Sequence, residues 1–338
     1  MNNKENIDTS QKYLKICNLY TPSMIVTITL NPSIDISVIV PQLIPTEKLR
    51  CESYEKEVGG GGINVAKGLH RLGMKTIALF FSGGHNGKFI ESRLKEEGIV
   101  IKPIHLRPET RENITVTDLK DGKEFRLVNR GAGIKKTHEL HLLAKLNSLR
   151  PGPSHLVLSG SHPPGLSDQF VGKLAAWCSR NNCKLVLDLP GESLAKCFGY
   201  RPFLIKPSLK EVGQVIGNPG LTKSQSVQIA KEWVSKGFAE NIVISMGAEG
   251  AIICNGMETY RVKPPPVITM STVGAGDSMV AGVLFKLAQQ AELLDALRMG
   301  IACGTAATLH KGTKLFDPRQ ANKLYQQLKT MRPINNHG

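Results

Sequence analysis

A carboxylate follows two glycines in the stretch STVGAGDS, residues 271–278. Glycines let successive backbone N–H groups converge on an anion, and the apolar run after the motif predicts a helix whose first turn adds about half a positive charge there. Such a nest would stabilise the charge that a phosphoryl group carries during transfer. Asp277 could then accept a proton from an attacking hydroxyl. The spacing is also compatible with a plain turn and a helix-start carboxylate.

Four consecutive glycines, residues 59–62, precede an apolar helix predicted over residues 63–72. Glycine lets a backbone approach a ligand closely, and Asn64 in the first helical turn can both donate to and accept from sugar hydroxyls. The alternative is a flexible loop. No Gly-Lys-Ser/Thr follows, so this is not a Walker A loop.

The stretch KPSLKE, residues 206–211, follows a predicted strand. Lys206 could neutralise nucleotide phosphates, and Glu211 could reach Mg²⁺ directly or through water. Ser208 and Glu211 also have the spacing of a capping box for the helix that begins there. The two interpretations are compatible with each other.

Weaker signals come from the stretch SMGAEG, residues 245–250, and from three isolated charges. The first could hold the ribose or phosphates of a nucleotide, or be an ordinary hairpin turn. Asp35 suits sugar hydroxyls, and Lys48 and Arg111 suit a substrate phosphate. Each of these three is also compatible with a solvated surface charge.

The balance of charge favours anionic partners. The 338 residues include 43 Lys and Arg against 28 Asp and Glu, a net charge of +15. These cations are scattered, and aromatic residues make up only 5% of the chain, so nucleic acid is disfavoured and phosphorylated metabolites remain.

The cysteines and the hydropathy exclude other classes. Seven cysteines without a C-x-x-C pair or a histidine cluster predict reduced, mostly buried thiols in a cytoplasmic protein. The chain contains no run of 18 apolar residues, so no membrane span is predicted. Residues 1–20 form a polar extension without the apolar core of a secretion signal.

Strands alternate with helices along most of the chain, which predicts an α/β fold with a mostly parallel sheet covered on both faces. Ligands in such sheets sit beyond the carboxyl ends of the strands, where the motifs above fall. Residues 34–40 and 49–58 predict further strands, and residues 113–129 predict a hairpin with a type I′ turn at Asp121 and Gly122.

Taken together, the chain resembles the ribokinase-like, phosphofructokinase B family of sugar kinases from about residue 24 to about residue 328. The motif TVGAGD at 272–277 is specific to that family, and GGGGIN at 59–64 is its second signature. The stretches LNPSID (30–35), KLRC (48–51), SGSHPPG (159–165) and PPPV (264–267) are similar to the subfamily of minor-type bacterial 6-phosphofructokinases.

The third glycine of the run, Gly61, bears on the substrate. In 1-phosphofructokinases and tagatose-6-phosphate kinases that position is usually lysine. The resemblance therefore implies ATP-dependent phosphorylation of the C1 hydroxyl of fructose 6-phosphate. The alternatives are fructose 1-phosphate or tagatose 6-phosphate as acceptor, or a non-catalytic sugar-phosphate sensor on the same fold.

The resemblance also implies an architecture and a set of roles. It implies a Rossmann-like kinase domain over residues 21–338, with a small β lid from about 33–57 and 111–129 that pairs two chains into a homodimer. ATP, Mg²⁺ and a monovalent cation such as K⁺ would be bound. The catalytic residues would be Asp277, Gly274, Ala275 and Gly276. The sugar phosphate would contact Asp35, Lys48, Gly60, Gly61, Asn64, Arg111 and Ser161. ATP would contact Lys206, Ser208, Ser245, Gly247, Gly250 and Thr272, and Mg²⁺ would be tied to Glu211.

One position departs from the family pattern. The family usually has Asn-x-x-Glu where this chain has Ser208 and Glu211. Serine is shorter and has no amide, and a bridging water could replace its reach. The departure concerns the affinity for metal and ATP more than the reaction itself.

Overall fold

The computed structural model describes residues 24–310, 312 and 314–331. The predicted extension over residues 1–20 lies outside them. The strands are β1 (Ile25–Thr29), β2 (Ser33–Val40), β3 (Ser53–Gly59), β4 (Thr76–Gly83), β5 (Val100–Leu106), β6 (Arg111–Asp118), β7 (Glu124–Val128), β8 (His155–Ser159), β9 (Lys184–Asp188), β10 (Leu204–Ile205), β11 (Asn241–Ser245), β12 (Ala251–Cys254) and β13 (Thr259–Val262).

Ten α-helices connect or follow these strands within the described residues. They are α1 (Gly61–Arg71), α2 (Gly84–Glu96), α3 (Lys136–Asn147), α4 (Phe170–Arg180), α5 (Gly191–Ala195), α6 (Leu209–Val215), α7 (Lys223–Ser235), α8 (Ala275–Leu287), α9 (Leu293–Ala307) and α10 (Pro318–Thr330). None of them, in the part of the chain described, has the length and apolar character needed to cross a membrane.

A nine-stranded sheet forms the centre of the molecule, in the order β13-β12-β11-β10-β9-β8-β1-β4-β5. The strands from β11 to β5 run parallel, and β12 and β13 add an antiparallel hairpin at one edge. The mostly parallel sheet predicted from the alternation of elements is confirmed. Strand order reverses beside β1, and a crevice opens at the carboxyl ends of strands at such a point.

Successive residues of the parallel strands enter two different cores. In β1, Ile25 packs into one apolar cluster and Val26 into the other. In β8, Leu156 and Val157 divide in the same way. Because side chains alternate across a strand, a sheet with helices on both faces needs apolar residues at nearly every position. This explains why the strands appear in the sequence as continuous apolar runs.

A separate four-stranded sheet, the small sheet, has the order β3-β2-β6-β7. Its strands lie in the two segments predicted for a lid, except that β3 extends two residues further, to Gly59. Ile34 and Val58 on its inner face are buried with Ile63 of α1 and Ile90 of α2. The small sheet is therefore fixed to the main body at the end that lies nearest the glycine run.

The hairpin turn was predicted wrongly. The loop between β6 and β7 closes through a hydrogen bond from the Asp118 N–H to the Lys123 carbonyl, and Gly122 alone in that loop has a positive φ, of 65°. A type I′ turn needs two such residues. Instead, the Asp118 carboxylate accepts N–H bonds from Leu43, Lys120 and Asp121 and stabilises a longer loop.

Other boundaries also differ from the predictions. The third strand begins at Ser53 rather than residue 49, and α1 begins at Gly61 rather than residue 63. The sequence analysis did not identify β5, α3, α5 or α7. Six cysteines are free thiols within the described residues; five are buried, as predicted, and Cys51 is exposed.

The edge strand β5 contains Pro103, which lies opposite Phe80 of β4. Proline has no N–H, and strands that carry it are found at sheet edges. Its position agrees with β5 pairing on one side only.

Candidate active site

The glycine run is closely packed and is not a flexible loop. Gly60 has φ of 119°, which L side chains rarely adopt. A Cβ on Gly61 would lie 2.3 Å from Ser159 Oγ and 2.9 Å from the Gly160 amide nitrogen. The absence of side chains therefore brings the start of α1 against the carboxyl end of β8. This contact positions Asn64, which is only 4% exposed.

Asn64 and Asp277 come from distant parts of the chain and meet at the centre of the site. The Asn64 side-chain amide donates a 2.8 Å hydrogen bond to Asp277 Oδ2. Asp277 lies in the first turn of α8, after Gly274, whose φ is 73°. The first amide groups of a helix have no intrahelical acceptor, so the start of α8 presents N–H groups beside this carboxylate, as the motif predicts.

Asp188 forms an ion pair with Lys206 inside the same region. Lys206 Nζ lies 3.0 Å from Asp188 Oδ1, and the side chains are only 8% and 13% exposed. Burial lowers the pKa of Lys206, but the charge and hydrogen bond of Asp188 and the charges of Glu211 and Asp277 outweigh it and raise the pKa overall. The lysine therefore stays charged among these three carboxylates.

The pKa of Asp277 lies close to neutral pH. Burial, together with repulsion from Asp188 and Asp35, raises its pKa to about 7, against the opposing effects of the Asn64 hydrogen bond and Lys206. A general base is most effective when its pKa lies close to the working pH. Asp277 therefore has the properties of a proton acceptor.

The capping box predicted at the start of α6 is present. The Ser208 N–H and hydroxyl both donate to Glu211 Oε2, at 2.7 and 2.8 Å, and the Glu211 N–H donates back to Ser208 Oγ at 3.2 Å. Glu211 still borders the cavity that contains Lys206 and Asp277. Ser208 does not line that cavity; its part in the site is to orient Glu211.

A second polar group lies at the foot of the small sheet. Arg111 Nη2 donates to the Asn31 carbonyl at 3.0 Å and to Ser161 Oγ at 3.3 Å. Asp35 Oδ1 accepts from Ser33 Oγ at 2.8 Å and from Asn113 Nδ2 at 2.9 Å. Arg111, Ser161 and Asp35 are thus held in defined orientations near the glycine run.

Two cavities meet at Gly276. The smaller, of about 280 Å³, is lined by Ser161, Lys206, Glu211, Gly274 and Asp277. The larger, of about 740 Å³, is lined by Gly276 and by the apolar residues of the stretch PPPV, Met279 and Ile301. Four residues predicted to bind ATP line the larger cavity as well: Ser245, Gly247, Gly250 and Thr272.

Seven predicted site residues line neither cavity: Asp35, Lys48, Gly60, Gly61, Asn64, Arg111 and Ser208. Of these, Lys48 makes no contact described above with the other site residues. It is exposed in the connection between β2 and β3.

The sequence analysis missed Asp188 and Asn31 as members of the site. Asn31 Nδ2 donates to Ser161 Oγ at 3.2 Å and to the Arg130 carbonyl at 3.0 Å. Asp188 is the last residue of the apolar strand β9, and Asn31 follows the end of the apolar strand β1 by two positions. That position was the available signal, because polar residues at the carboxyl ends of parallel strands converge on one edge of the sheet.

Comparison with known proteins agrees with this geometry. The model of the "pfkB family carbohydrate kinase" matches residues 25–320. The chain belongs to this family. It is 36% identical to the ATP-dependent 6-phosphofructokinase isozyme 2 of Escherichia coli over 90% of this chain and 98% of that protein. It is 34% identical to the 1-phosphofructokinase of Bacillus subtilis over 87% of this chain and 96% of that protein.

Solved structures give the same relationship. The structure of phosphofructokinase-2 from Escherichia coli in complex with potassium superimposes with a TM-score of 0.86 at 35% identity, covering 91% of this chain and 99% of that chain. The chain is therefore a carbohydrate kinase of ribokinase-like fold, a phosphotransferase that uses an alcohol group as acceptor.

Kinases of this family imply ATP and Mg²⁺, and the donor set of this chain fits both. The 740 Å³ cavity offers apolar walls that lead to the start of α8. Mg²⁺ is usually held by one or two carboxylates plus substrate phosphates, and Asp188 and Glu211 border the smaller cavity. Within the described residues there is no cluster of three or more His, Cys, Asp or Glu that could hold a metal ion.

The pH dependence of turnover follows from the raised pKa of Asp277. The carboxylate accepts a proton only when ionised, so we expect kcat to rise with pH through about 7 and then to level off. The Asn64→Ala variant loses the bond that lowers this pKa, and its midpoint should lie at higher pH. Initial rates from pH 5.5 to 9 measure both curves. The phosphates of the substrates also ionise, near pH 6. If the midpoint of the pH curve is the same in Asn64→Ala as in the wild type, the titrating groups are the substrate phosphates and not Asp277.

Proposed function

We propose that this chain transfers the γ-phosphoryl group of ATP to the C1 hydroxyl of fructose 6-phosphate. The proposal depends most on one observation: Asp277 lines the smaller, polar cavity directly after Gly276, the residue at which that cavity meets the larger one. An acceptor hydroxyl in the first and a triphosphate in the second would face each other beside that carboxylate.

In this mechanism Asp277 takes the proton of the C1 hydroxyl as the hydroxyl oxygen attacks the γ-phosphorus. The bond from that phosphorus to the β–γ bridging oxygen breaks, and ADP is the leaving group. The first N–H groups of α8 and the Lys206 ammonium balance the charge of the transferring group. Asp35, Asn64 and Ser161 orient the sugar, and Arg111 and Lys48 attract its phosphate. Glu211 and Asp188 would hold Mg²⁺, whose chemistry is to neutralise the phosphates. Closure of the small sheet as a lid would exclude water, a competing acceptor.

The proposal includes potassium because a structure of one relative contains it. The Escherichia coli structure cited above contains it, and we include a monovalent cation among the expected cofactors of this chain. Turnover in potassium compared with turnover in a tetraalkylammonium salt of equal ionic strength tests this requirement.

Gly61 favours fructose 6-phosphate over fructose 1-phosphate. The lysine usual at this position in 1-phosphofructokinases would place its Cβ 2.3 Å from Ser159 Oγ on the present backbone. The site is therefore built around a residue without a side chain. The 34% identity to the Bacillus subtilis 1-phosphofructokinase keeps fructose 1-phosphate as the second candidate.

An ADP-release assay distinguishes the acceptors. We expect kcat/KM to be highest for fructose 6-phosphate among fructose 6-phosphate, fructose 1-phosphate and tagatose 6-phosphate. Maximal kcat/KM on fructose 1-phosphate would transfer the assignment to the second candidate. Absence of turnover on all three, with ATP still bound, would support the sensor alternative.

The small sheet supports a homodimer. Tyr54, Val38, Val116 and Phe125 are paired across its four strands and therefore form one apolar row on one face. Tyr54 is 62% exposed and Phe125 42% exposed. An apolar row of this extent is typical of a surface that another chain covers, and a second copy presents the same row.

Disrupting this row should yield monomers. The Phe125→Asp variant would bury a charge in the proposed interface, so sedimentation velocity should show the mass of one chain where the wild type shows two. Val100→Asp introduces the same charge at an exposed valine of β5, a strand of the nine-stranded sheet that does not belong to the row, and should remain dimeric. A dimeric Phe125→Asp variant would mean that the row is not the interface.

A further inference from the structure

A third cleft, which we call the basic cleft, lies apart from the proposed transfer site. Its volume is about 520 Å³, and it is enclosed by β3, α1, the end of α2, His310 and residues 314–318. None of the residues assigned above to catalysis, sugar or ATP lines it.

The basic cleft has an excess of positive charge. Five Lys and Arg side chains line it against three carboxylates. The cations are Lys56, Lys67, Arg71, Arg93 and Lys314, and the carboxylates are Glu57, Glu97 and Asp317. An excess of one sign in a concave surface focuses the electrostatic potential and attracts ions of the other sign.

Arg71 supplies the part of this charge that the protein does not compensate. Its Nη1 donates to the carbonyl oxygens of Lys314 and Phe316, at 2.8 and 2.9 Å. Both acceptors are neutral, and within the described residues Arg71 makes no salt bridge with a carboxylate. The guanidinium is thus held in place by backbone groups while its charge remains available, which is the arrangement of a preorganised anion site.

The lysines of the basic cleft differ in how strongly they are paired with carboxylates of the protein. Lys67 is internal to the protein: its Nζ lies 2.9 Å from Glu97, and its side chain is 9% exposed. Lys56 and Lys314 form longer pairs, of 3.4 Å with Glu112 and 3.5 Å with Glu55, and all four side chains are at least 30% exposed. Exposed pairs of this kind contribute little to stability, so an incoming anion could recruit both lysines.

We propose that the basic cleft is a second ligand site, for a phosphate-bearing small molecule. Arg71 would bind phosphate oxygens through its remaining N–H groups, because a guanidinium matches phosphate geometry. Lys56 and Lys314 would approach from the two rims. The volume suits a metabolite, since ligand sites commonly measure about 300–1,000 Å³.

The position of the cleft connects such a ligand to the transfer site. Leu315, which follows Lys314, lies so close to Gly274 that a Cβ there would be 2.6 Å from its Cδ2. On the opposite rim, Glu57 of β3 is paired with Asp35 of β2. An anion held between Lys56 and Lys314 would therefore link the small sheet to the segment that contacts the start of α8.

Thermal unfolding in inorganic phosphate, compared with chloride of equal ionic strength, tests the proposal. Phosphate should raise the Tm of the wild type, because a ligand that binds only the folded state stabilises it. In the double variant Lys56→Ala/Lys314→Ala the half-saturating phosphate concentration should rise at least about tenfold, as expected when charge-assisted hydrogen bonds are lost. Arg71→Gln should have a larger effect.

Arg126→Gln is the matched control. Arg126 is an exposed arginine of the small sheet whose partner is Glu124, and its removal should leave the phosphate response unchanged. Phosphate bound in the transfer site would persist in all variants as a residual shift. Wild-type phosphate dependence in both the lysine double variant and Arg71→Gln would overturn the proposal. The double variant decides the question if Arg71→Gln fails to fold.

Discussion

Replacing Asp277 by Asn should lower kcat by about 10²–10⁴-fold, the usual contribution of a positioned general base. Asparagine keeps the shape of the side chain and can still accept the hydrogen bond from Asn64, so KM for both substrates should change little. Steady-state ADP release at saturating substrates gives kcat, and its dependence on substrate concentration gives KM. A lower kcat with an unchanged KM shows that the lost interaction is made only in the transition state.

A comparison of unfolding distinguishes loss of the base from loss of the fold as the cause of the lower kcat of Asp277→Asn. The pKa of Asp277 is raised to about 7, well above its ordinary value. The folded protein thus binds this proton more tightly than the unfolded chain does, and the associated stability is lost as pH rises through about 7. At pH 8 the neutral Asn variant should therefore unfold no earlier than the wild type. Asp168→Asn, at a carboxylate 86% exposed, is the control for activity. Normal turnover by Asp277→Asn would assign the base elsewhere.

The Lys206→Met variant should lose about 3–5 kcal/mol of folding free energy, the cost of leaving one partner of a buried ion pair uncompensated. Asp188 would remain at 13% exposure without its cation. The variant should also turn over far more slowly, because no ammonium would balance the transferring charge. Equilibrium urea unfolding measures the first effect, and ADP release measures the second.

The chain provides a matched control for this variant. Lys196 and Asp168 are separated by the same 3.0 Å, but their side chains are 68% and 86% exposed. Lys196→Met should cost less than about 1 kcal/mol. The double variant Lys206→Met/Asp188→Asn should recover part of the lost stability, since it removes the uncompensated charge. Equal costs for Lys206→Met and Lys196→Met would show that burial does not strengthen the inner pair.

The sequence predicted the layers of the fold better than the ends of its elements. Strands β1, β8 and β11 enter two cores at once, and this produced apolar runs that could be recognised locally. By contrast, α3 contains two histidines and three lysines or acids among its apolar positions, so its periodicity is weak. The turn near Gly122 depends on the Asp118 carboxylate reaching Leu43 from another segment, and no local pattern contains that contact.

The site was predictable where one segment supplies the chemistry. Asp277, the glycine run and the Ser208 capping box are each local, and their geometry follows from short motifs. The partnership of Asn64 with Asp277 joins residues 213 positions apart, and Asp188 becomes part of the site only because β9 lies between β8 and β10. Such contacts depend on strand order, which a single sequence does not specify.

Pro103 on β5 has a consequence for how copies of this protein can associate. A strand that lacks one N–H and carries Lys102 beside that gap is a poor template for another strand. Extension of the nine-stranded sheet from molecule to molecule is thereby discouraged at this edge. The proposed dimer would instead use the apolar row of the small sheet, a surface that does not depend on unpaired strand edges.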